Sequence, residues 1–442
     1  MTRAPPQNAN STTLPDSREN TPSIGKIAYI MSRFPKLTET FILYEILEAQ
    51  RHGVHIEIFP LLREQQKVTH PEVRILTEKA HFYPFLSLPI LGAQLHYLLR
   101  KPLVYLRLLF EVLRGTLGSS NFFFGAIGIL PKSVHFAHEM EKLGICHVHA
   151  HFATHPAIAG LIIHRLTGIP FSFTAHGSDL HVERKMLDRK VAAAAFAVTV
   201  SKYNKAVMVQ ACGKDMSDRI HIIHCGVAPE HFPLKPASDE VNSYEILCVA
   251  SFEEVKGHKH LIKACEILAA HGIDFNCHLI GDGPLRTDIE QQIACTNLAD
   301  KFHVHGSLPR PEVIDLLQKA DVFALPSIPT KQGKREGIPV VLMEAMACGL
   351  PVVSSDLSGI PELVINDTCG LLVAPGDNAS LADALETLYK EPERRNRLGI
   401  SGRKQVEEKF NLHTNTMKLM GLIADSCASH RDKRCNAGHQ EG

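Results

Sequence analysis

The run from Glu336 to Glu362, Glu-Gly-Ile-Pro-Val-Val-Leu-Met-Glu-Ala-Met-Ala-Cys-Gly-Leu-Pro-Val-Val-Ser-Ser-Asp-Leu-Ser-Gly-Ile-Pro-Glu, constrains the fold of this chain more than any other. Gly337 and Pro339 mark a loop giving way to a helix, because the N–H that proline lacks is unused at the first helical position. Val341, Leu342, Ala345 and Met346 then make one apolar face at helical spacing. Gly349 and Pro351 end the helix, and the apolar residues from Val352 open a buried strand. A helix start with free backbone N–H groups is an anion site, so a phosphate fits beside Pro339 and Val340. Glu336 before the helix and Glu344 inside it would repel that phosphate. They suit neighbouring hydroxyls instead, as on a sugar or a ribose.

Glu336 and Glu344 stand with seven residues between them, inside a Gly-Ile-Pro and Ala-Cys-Gly-Leu-Pro-Val-Val frame. This resembles the Glu-x7-Glu signature of the family 4 retaining glycosyltransferases. The resemblance implies an α/β chain of GT-B fold, with two Rossmann-like doubly wound domains facing a cleft. It also implies that Glu336 contacts the donor sugar, that Glu344 holds the ribose of the nucleotide, and that Gly337, Ile338, Pro339 and Val340 line the donor site. A helix with one solvated and one capping acid is the plain alternative.

At 442 residues the chain exceeds what one core serves, so two domains of about 200 residues each are expected. The 47 Lys and Arg balance 47 Asp and Glu, which gives no reason to expect a nucleic-acid partner. Eleven cysteines without a Cys-x-x-Cys pair read as reduced core thiols of a cytosolic protein. Met1 to Ser23 is polar and lacks the apolar core of a signal peptide, so residues 1–24 are expected to form a disordered arm.

Ile27 to Met31 reads as a buried first strand, followed by a helix that turns Phe41, Ile42, Ile46 and Leu47 inward and by a second strand from Val54 to Phe59. This β-α-β opening puts the loop Ser32–Thr40 at the carboxyl end of strand one, where doubly wound sheets place ligands. The loop resembles the Phe-Pro-x-x-Ser/Thr-Glu-Thr-Phe opening of family 4 enzymes that build bacterial exopolysaccharides. Arg33, Phe34 and Glu39 are therefore the acceptor-side candidates; for Arg33 and Glu39 the plain alternatives are a surface charge and a helix cap. Residues 82–130 are rich in leucine and aromatics, yet Pro84, Pro89, Arg100, Lys101 and Arg107 keep every run too short to span a bilayer. Either these helices pack on the first sheet, or they lie in a membrane interface with basic residues toward anionic headgroups; contact with a membrane surface is the expectation.

His147, His149 and His151 would share one face of a strand, which raises a metal site. No carboxylate or cysteine nearby in the sequence completes it, so no metal is expected. Ile169 to Ala175 is a buried strand that lifts His176 to its carboxyl edge. Similar Thr-Ala-His turns in the family hold a histidine that contacts the reacting sugar; a structural histidine is the alternative. Residues 25–230 are thus read as the acceptor domain, and the proline-bearing stretch from 229 to 243 as the linker.

The second domain, 243–405, opens with Glu245 to Val249 and a turn in which Gly257 lets Lys256 meet a diphosphate. Relatives usually have Gly-Arg-Leu where this chain has Ala250-Ser251-Phe252, and their arginine pairs with the donor diphosphate. Ser251 takes that place here, leaving Lys256 and the helix start with more charge to neutralise unless Lys334 or Arg335 reaches in. Gly281 repeats the strand-then-glycine turn and belongs to the donor side of the resemblance. Residues 406–428 are expected as a helix crossing back to the first domain, and 429–442 as a loose tail.

The resemblance spans about residues 25 to 425. It implies retaining transfer of a hexosyl unit from a nucleotide diphosphate sugar, a co-substrate rather than a cofactor, to a saccharide or lipid-linked saccharide at the inner face of a bacterial membrane. His176, Glu336 and Lys256 are the expected catalytic groups. An epimerase or hydrolase on the same fold and a non-catalytic nucleotide-sugar-binding scaffold are the competing readings.

Overall fold

The computed structural model describes residues 24–35, 39–64, 71–85, 87–235 and 243–438. Of the expected arm, residues 1–23 lie outside the described residues, as do 36–38 of the acceptor-side loop, 236–242 of the linker and 439–442 of the tail.

Two six-stranded parallel sheets organise the chain. The first holds β1 (Ile27–Phe34), β2 (Ile56–Arg63), β3 (His147–His151), β4 (Phe171–Ala175), β5 (Phe196–Thr199) and β6 (Ile220–Ile222), in the order β2-β1-β3-β4-β5-β6. The second holds β7 (Tyr244–Val249), β8 (Phe275–Ile280), β9 (Phe302–Gly306), β10 (Val322–Leu325), β11 (Val352–Ser355) and β12 (Leu371–Val373), in the order β12-β11-β10-β7-β8-β9. Helices cover both faces, so the strands must be apolar throughout rather than alternating. Ile27 to Met31 and Val322 to Leu325 are buried at every position. Strand order reverses between β1 and β3 in the first sheet and between β7 and β10 in the second. Crevices beyond the carboxyl ends of strands at such reversals are where doubly wound sheets take ligands.

Between β2 and β3 the chain inserts helices Leu88–Arg100, Pro102–Thr116 and Ser120–Leu143. Proline opens the first two, and Ser119 caps the third by accepting the Phe122 N–H at 3.2 Å. One face of each closes the core of the first domain, through Ile90, Ala93 and Tyr97, then Leu108 and Val112, then Phe122 and Ala126, with Phe59 and Leu61 of β2 in the same cluster. The third helix runs past 130 to Leu143 in spite of Pro131, and Gln94 ties it to the first of the three by donating to the Pro131 carbonyl at 3.0 Å.

The crossing back differs from the expectation of one helix over 406–428 and a loose tail. A helix, Pro392–Lys409, stays with the second domain and stops where Phe410 is buried. Val227 then pairs with the passing strand, donating to Phe410 O at 3.0 Å and accepting from Leu412 N at 2.8 Å. Asn411 caps the next helix by accepting the Thr414 N–H at 3.1 Å. That helix, Leu412–Gly438, continues through 429–438, so this part of the expected tail is helical. Leu419, Met420, Ile423 and Cys427 bury it against Tyr29, Ile42 and Ile46 of the first domain.

Candidate active site

The loops after β7 and β10 meet at the strand-order reversal of the second sheet. Gly257, at φ +74, makes this possible, since a Cβ there would overlap the Pro326 carbonyl. Lys256 Nζ lies 2.8 Å from Glu336 Oε1, and both side chains are less than a fifth exposed. The sequence-predicted base and acid are therefore a single ion pair. Beyond Glu336, Ile338 is 8% exposed and anchors the loop in the core of the second domain. Pro339 is the N-cap of helix Val340–Ala347 and supplies no side-chain cap, so the first N–H groups have no side-chain capping oxygen. Leu342, Met343, Ala345, Met346 and Ala347 are all buried, a wider apolar surface than the one face expected. Glu344 is half-buried on the remaining side. Burial pushes its carboxyl up to about 7, with the nearby Arg310 guanidinium opposing the shift.

Gly281, at φ +142, packs its Cα against the Ala250 carbonyl, and its N–H donates to Gly306 O at 2.9 Å. The loops after β7, β8 and β9 are thereby stitched together, with Ser251 half-buried among them. Lys334 forms an ion pair with Glu253 two residues beyond Ser251. Arg335 Nη1 donates instead to Tyr203 Oη of the first domain at 3.2 Å. Of the two bases, Lys334 is the one held beside the arginine-less loop.

His176 follows β4, and its turn is fixed by Asp179, whose carboxylate accepts the N–H groups of Ala153 at 2.6 Å, His176 at 3.0 Å and Gly177 at 2.8 Å. The ring is occupied within its own domain: Nε2 is 3.2 Å from His151 Nδ1, Nδ1 is 3.8 Å from Cys225 Sγ, and the Phe41 ring lies 4.7 Å away. Burial holds the imidazole down to about 3, so it is neutral at neutral pH. What faces the second domain is the His176 carbonyl, which a Cβ on Gly337 would overlap. The turns that carry Glu336 and His176 thus pack against each other through Gly337.

His147, His149 and His151 are fully buried on one side of β3. A carboxylate is near them after all: Glu45, from helix Thr40–Arg51, lies with ring nitrogens of His149 and His151 within 4.8 Å and receives the Tyr29 hydroxyl at 2.8 Å. Its distance in sequence hid it. Both His149 nitrogens are taken by the hydroxyls of Ser172 at 2.8 Å and Thr174 at 3.0 Å, so the arrangement works as a hydrogen-bond network behind His176.

Of the acceptor-side expectations, that for Phe34 needs correction. Phe34 is 4% exposed in the core with Ile42 and Ile46, because the last residue of β1 still points inward. Arg33 makes an exposed ion pair with Glu64 at 3.1 Å. Glu39 stands at the N-cap of helix Thr40–Arg51 without a side-chain capping bond. A small pocket lies between Thr40, Phe41 and Tyr44 of the first domain and Arg310, Val340 and Glu344 of the second. The Arg310 guanidinium stacks 4.5 Å over Tyr44 and 4.9 Å over Phe232. Asp179, Tyr44 and Arg310 were missed in the sequence. The available signals were the three-residue spacing of Asp179 from His176 and the place of Arg310 just beyond the carboxyl end of β9.

Two doubly wound domains with their strand ends across a shared cleft define the GT-B class of glycosyltransferases. The chain belongs to it: residues 38–231 match the family described as Glycosyltransferase Family 4, and residues 233–405 match Glycosyl transferases group 1. The amylovoran biosynthesis glycosyltransferase AmsK of Erwinia amylovora is 38% identical over 207 residues, 47% of this chain and 51% of the relative. The putative colanic acid biosynthesis glycosyltransferase WcaL of Escherichia coli K12 is 38% identical over 211 residues, again 47% of this chain and 51% of the relative. The chain spans about half the length of the curated relatives it matches. Among solved structures, Anabaena HepE in complex with UDP superposes with a TM-score of 0.66 at 16% identity, covering 91% of this chain and 100% of that one, a likeness of fold.

Proposed function

We propose that this chain transfers a hexosyl unit from a nucleotide diphosphate sugar, with retained anomeric configuration, to a saccharide carried on a lipid, in the synthesis of a bacterial cell-surface polysaccharide. One observation carries the reading: the loop from Glu336, which is paired with Lys256, to the uncapped start of helix Val340–Ala347 packs through Gly337 against the His176 carbonyl of the other domain. The names of AmsK and WcaL supply the polysaccharide context, and the UDP bound by HepE the class of donor.

In this reading the donor diphosphate takes Lys256 and the uncapped N–H groups of Val340 and Val341, which releases Glu336 to the sugar hydroxyls. As the bond from the anomeric carbon to the phosphate oxygen breaks, its electron pair leaves on the diphosphate, where the lysine and the helix start stabilise it. Glu336 and the His176 carbonyl face the positive charge that grows on the sugar. The acceptor hydroxyl attacks from the same face and gives its proton to the departing phosphate oxygen. Glu344 holds the ribose hydroxyls. The reading calls for no resident cofactor and places the protein on the cytoplasmic side of the membrane.

A panel of nucleotide diphosphate sugars screened by thermal shift identifies the donor, because a ligand of the folded state raises Tm. With that donor, NMR of the product is expected to show retained configuration. Glu336→Ala is expected to lower kcat about a hundredfold, roughly 3 kcal/mol of transition-state stabilisation, with little change in Tm. Near-normal turnover removes Glu336 from the site, sugar release without acceptor makes the protein a hydrolase, and no shift with any nucleotide makes it a scaffold.

A further inference from the structure

We propose that helices Leu88–Arg100 and Pro102–Thr116, with the start of Ser120–Leu143, form a docking face for an anionic lipid bilayer, and that this face leads to the rim of the candidate active site. The inference deepens the acceptor side of the proposed function and rests on it only for what the bilayer would deliver.

Each of these helices buries one face in the core, and the opposite face would be polar if it met only water. It is not: Leu88 is 84% exposed, Leu99 72%, Leu103 69%, Phe110 64% and Phe124 70%. Leu99 and Leu103 lie four residues apart across the Pro102 turn, and Leu103, Leu106 and Phe110 share one helical face. A monomer that met only solvent would rarely display an apolar face of this extent. Among the described residues no helix is long and apolar enough to cross a membrane, and Pro102 and Gly118 break the run. Such helices lie in an interface rather than span it.

Charge selects the partner. From 87 to 128 the ionised side chains are Arg100, Lys101, Arg107, Arg114 and a single acid, Glu111. Glu111 is held by Arg165 at 3.3 Å. Arg100, Arg107 and Arg114 are exposed among the leucines, the combination of apolar insertion and basic flank that suits anionic headgroups. An interface between two copies of the chain would instead bring these like charges together.

The face is also aimed. At its lower end Lys101 donates to the Leu166 carbonyl at 2.7 Å, near the amino end of β4. At its upper end the Leu117 carbonyl accepts from Lys185 at 3.0 Å, and Ser119 donates to Glu183 at 2.7 Å. Glu183 and Lys185 belong to the segment that follows the His176 turn, at the carboxyl edge of the sheet. Helix Pro102–Thr116 therefore rises from the base of the first domain to the cleft rim. A lipid-linked saccharide could keep its tail in the bilayer while its sugar enters the cleft.

The test is sedimentation of the full chain with vesicles of phosphatidylcholine, with and without phosphatidylglycerol. Wild type is expected to bind the phosphatidylglycerol vesicles, less so as salt is raised. Leu103→Glu with Phe110→Glu is expected to weaken binding about tenfold or more, since two apolar anchors are lost. Arg100→Glu with Arg107→Glu is expected to abolish the preference for phosphatidylglycerol. All these positions are exposed, and an unchanged Tm checks the fold. Wild type left in the supernatant overturns the proposal, and so does wild-type binding by the leucine–phenylalanine variant. A dimer in light scattering that this variant dissolves, without vesicle binding, assigns the face to a second copy. The Tm response to UDP is read separately, so failure of donor binding and failure of membrane docking are told apart.

Discussion

Glu344 carries a carboxyl pushed up to about 7 by burial, against 4.5 for the free group. Its folded form therefore binds more protons than its unfolded form between those values, and the free protein loses stability as pH rises from about 4.5 to 7, by about 3 kcal/mol at most. Glu344→Gln removes this slope. Thermal unfolding without ligand is expected to show the variant gaining on wild type as pH rises from 5 to 8; a constant gap means that the carboxyl is not buried as described. Glu336, Glu344 and Lys256 were legible because their signals are local, a fixed spacing and a glycine turn. Asp179, Glu45 and Arg310 were not, since each acts on residues brought near only by the fold: Asp179 on the Ala153 amide, Glu45 on His151, Arg310 on Tyr44. Phe34 misled for a related reason, as the side on which a strand's last residue emerges depends on pleat and packing rather than on its neighbours in the chain.

At the scale of elements, the cleft is set by two loops whose backbones touch. Gly337 lies against the His176 carbonyl, and Asp179 holds the His176 turn by two N–H groups, so that turn cannot yield easily to a methyl group. Gly337→Ala is expected to push the β4 and β10 loops apart. Since misplacement by about 1 Å can cost a hundredfold in rate, kcat should fall on that order, while calorimetry should find affinity for the nucleotide that the donor panel identifies near wild type. An unchanged kcat means that the two loops separate in the working state. The β-α alternation that builds these loops was readable from apolar runs and glycine turns. The break at Phe410 was not, because 406–428 reads as one helix and only pairing with Val227 reveals the crossing.

For the whole molecule, the proposed transfer requires the two domains to keep a common frame, and contacts beyond the site itself help to hold it. Val227 pairs with the chain as it crosses, and Glu362 of the second domain caps the start of helix Lys202–Cys212 in the first, accepting from Lys202 N at 2.9 Å and Tyr203 N at 3.1 Å. The last helix then buries Ile423 completely against the first domain. Ile423→Ala is expected to cost about 2–4 kcal/mol, the usual penalty for emptying a core isoleucine site, and to lower Tm. The proposed nucleotide groups, Lys256, Glu344 and the start of helix Val340–Ala347, all belong to the second domain and do not touch Ile423. Affinity for the nucleotide that the donor panel identifies should therefore survive the substitution below the new Tm, while transfer to the acceptor falls because the first domain is no longer held in place. A parallel loss of nucleotide affinity and transfer would mean that the last helix shapes the donor pocket itself.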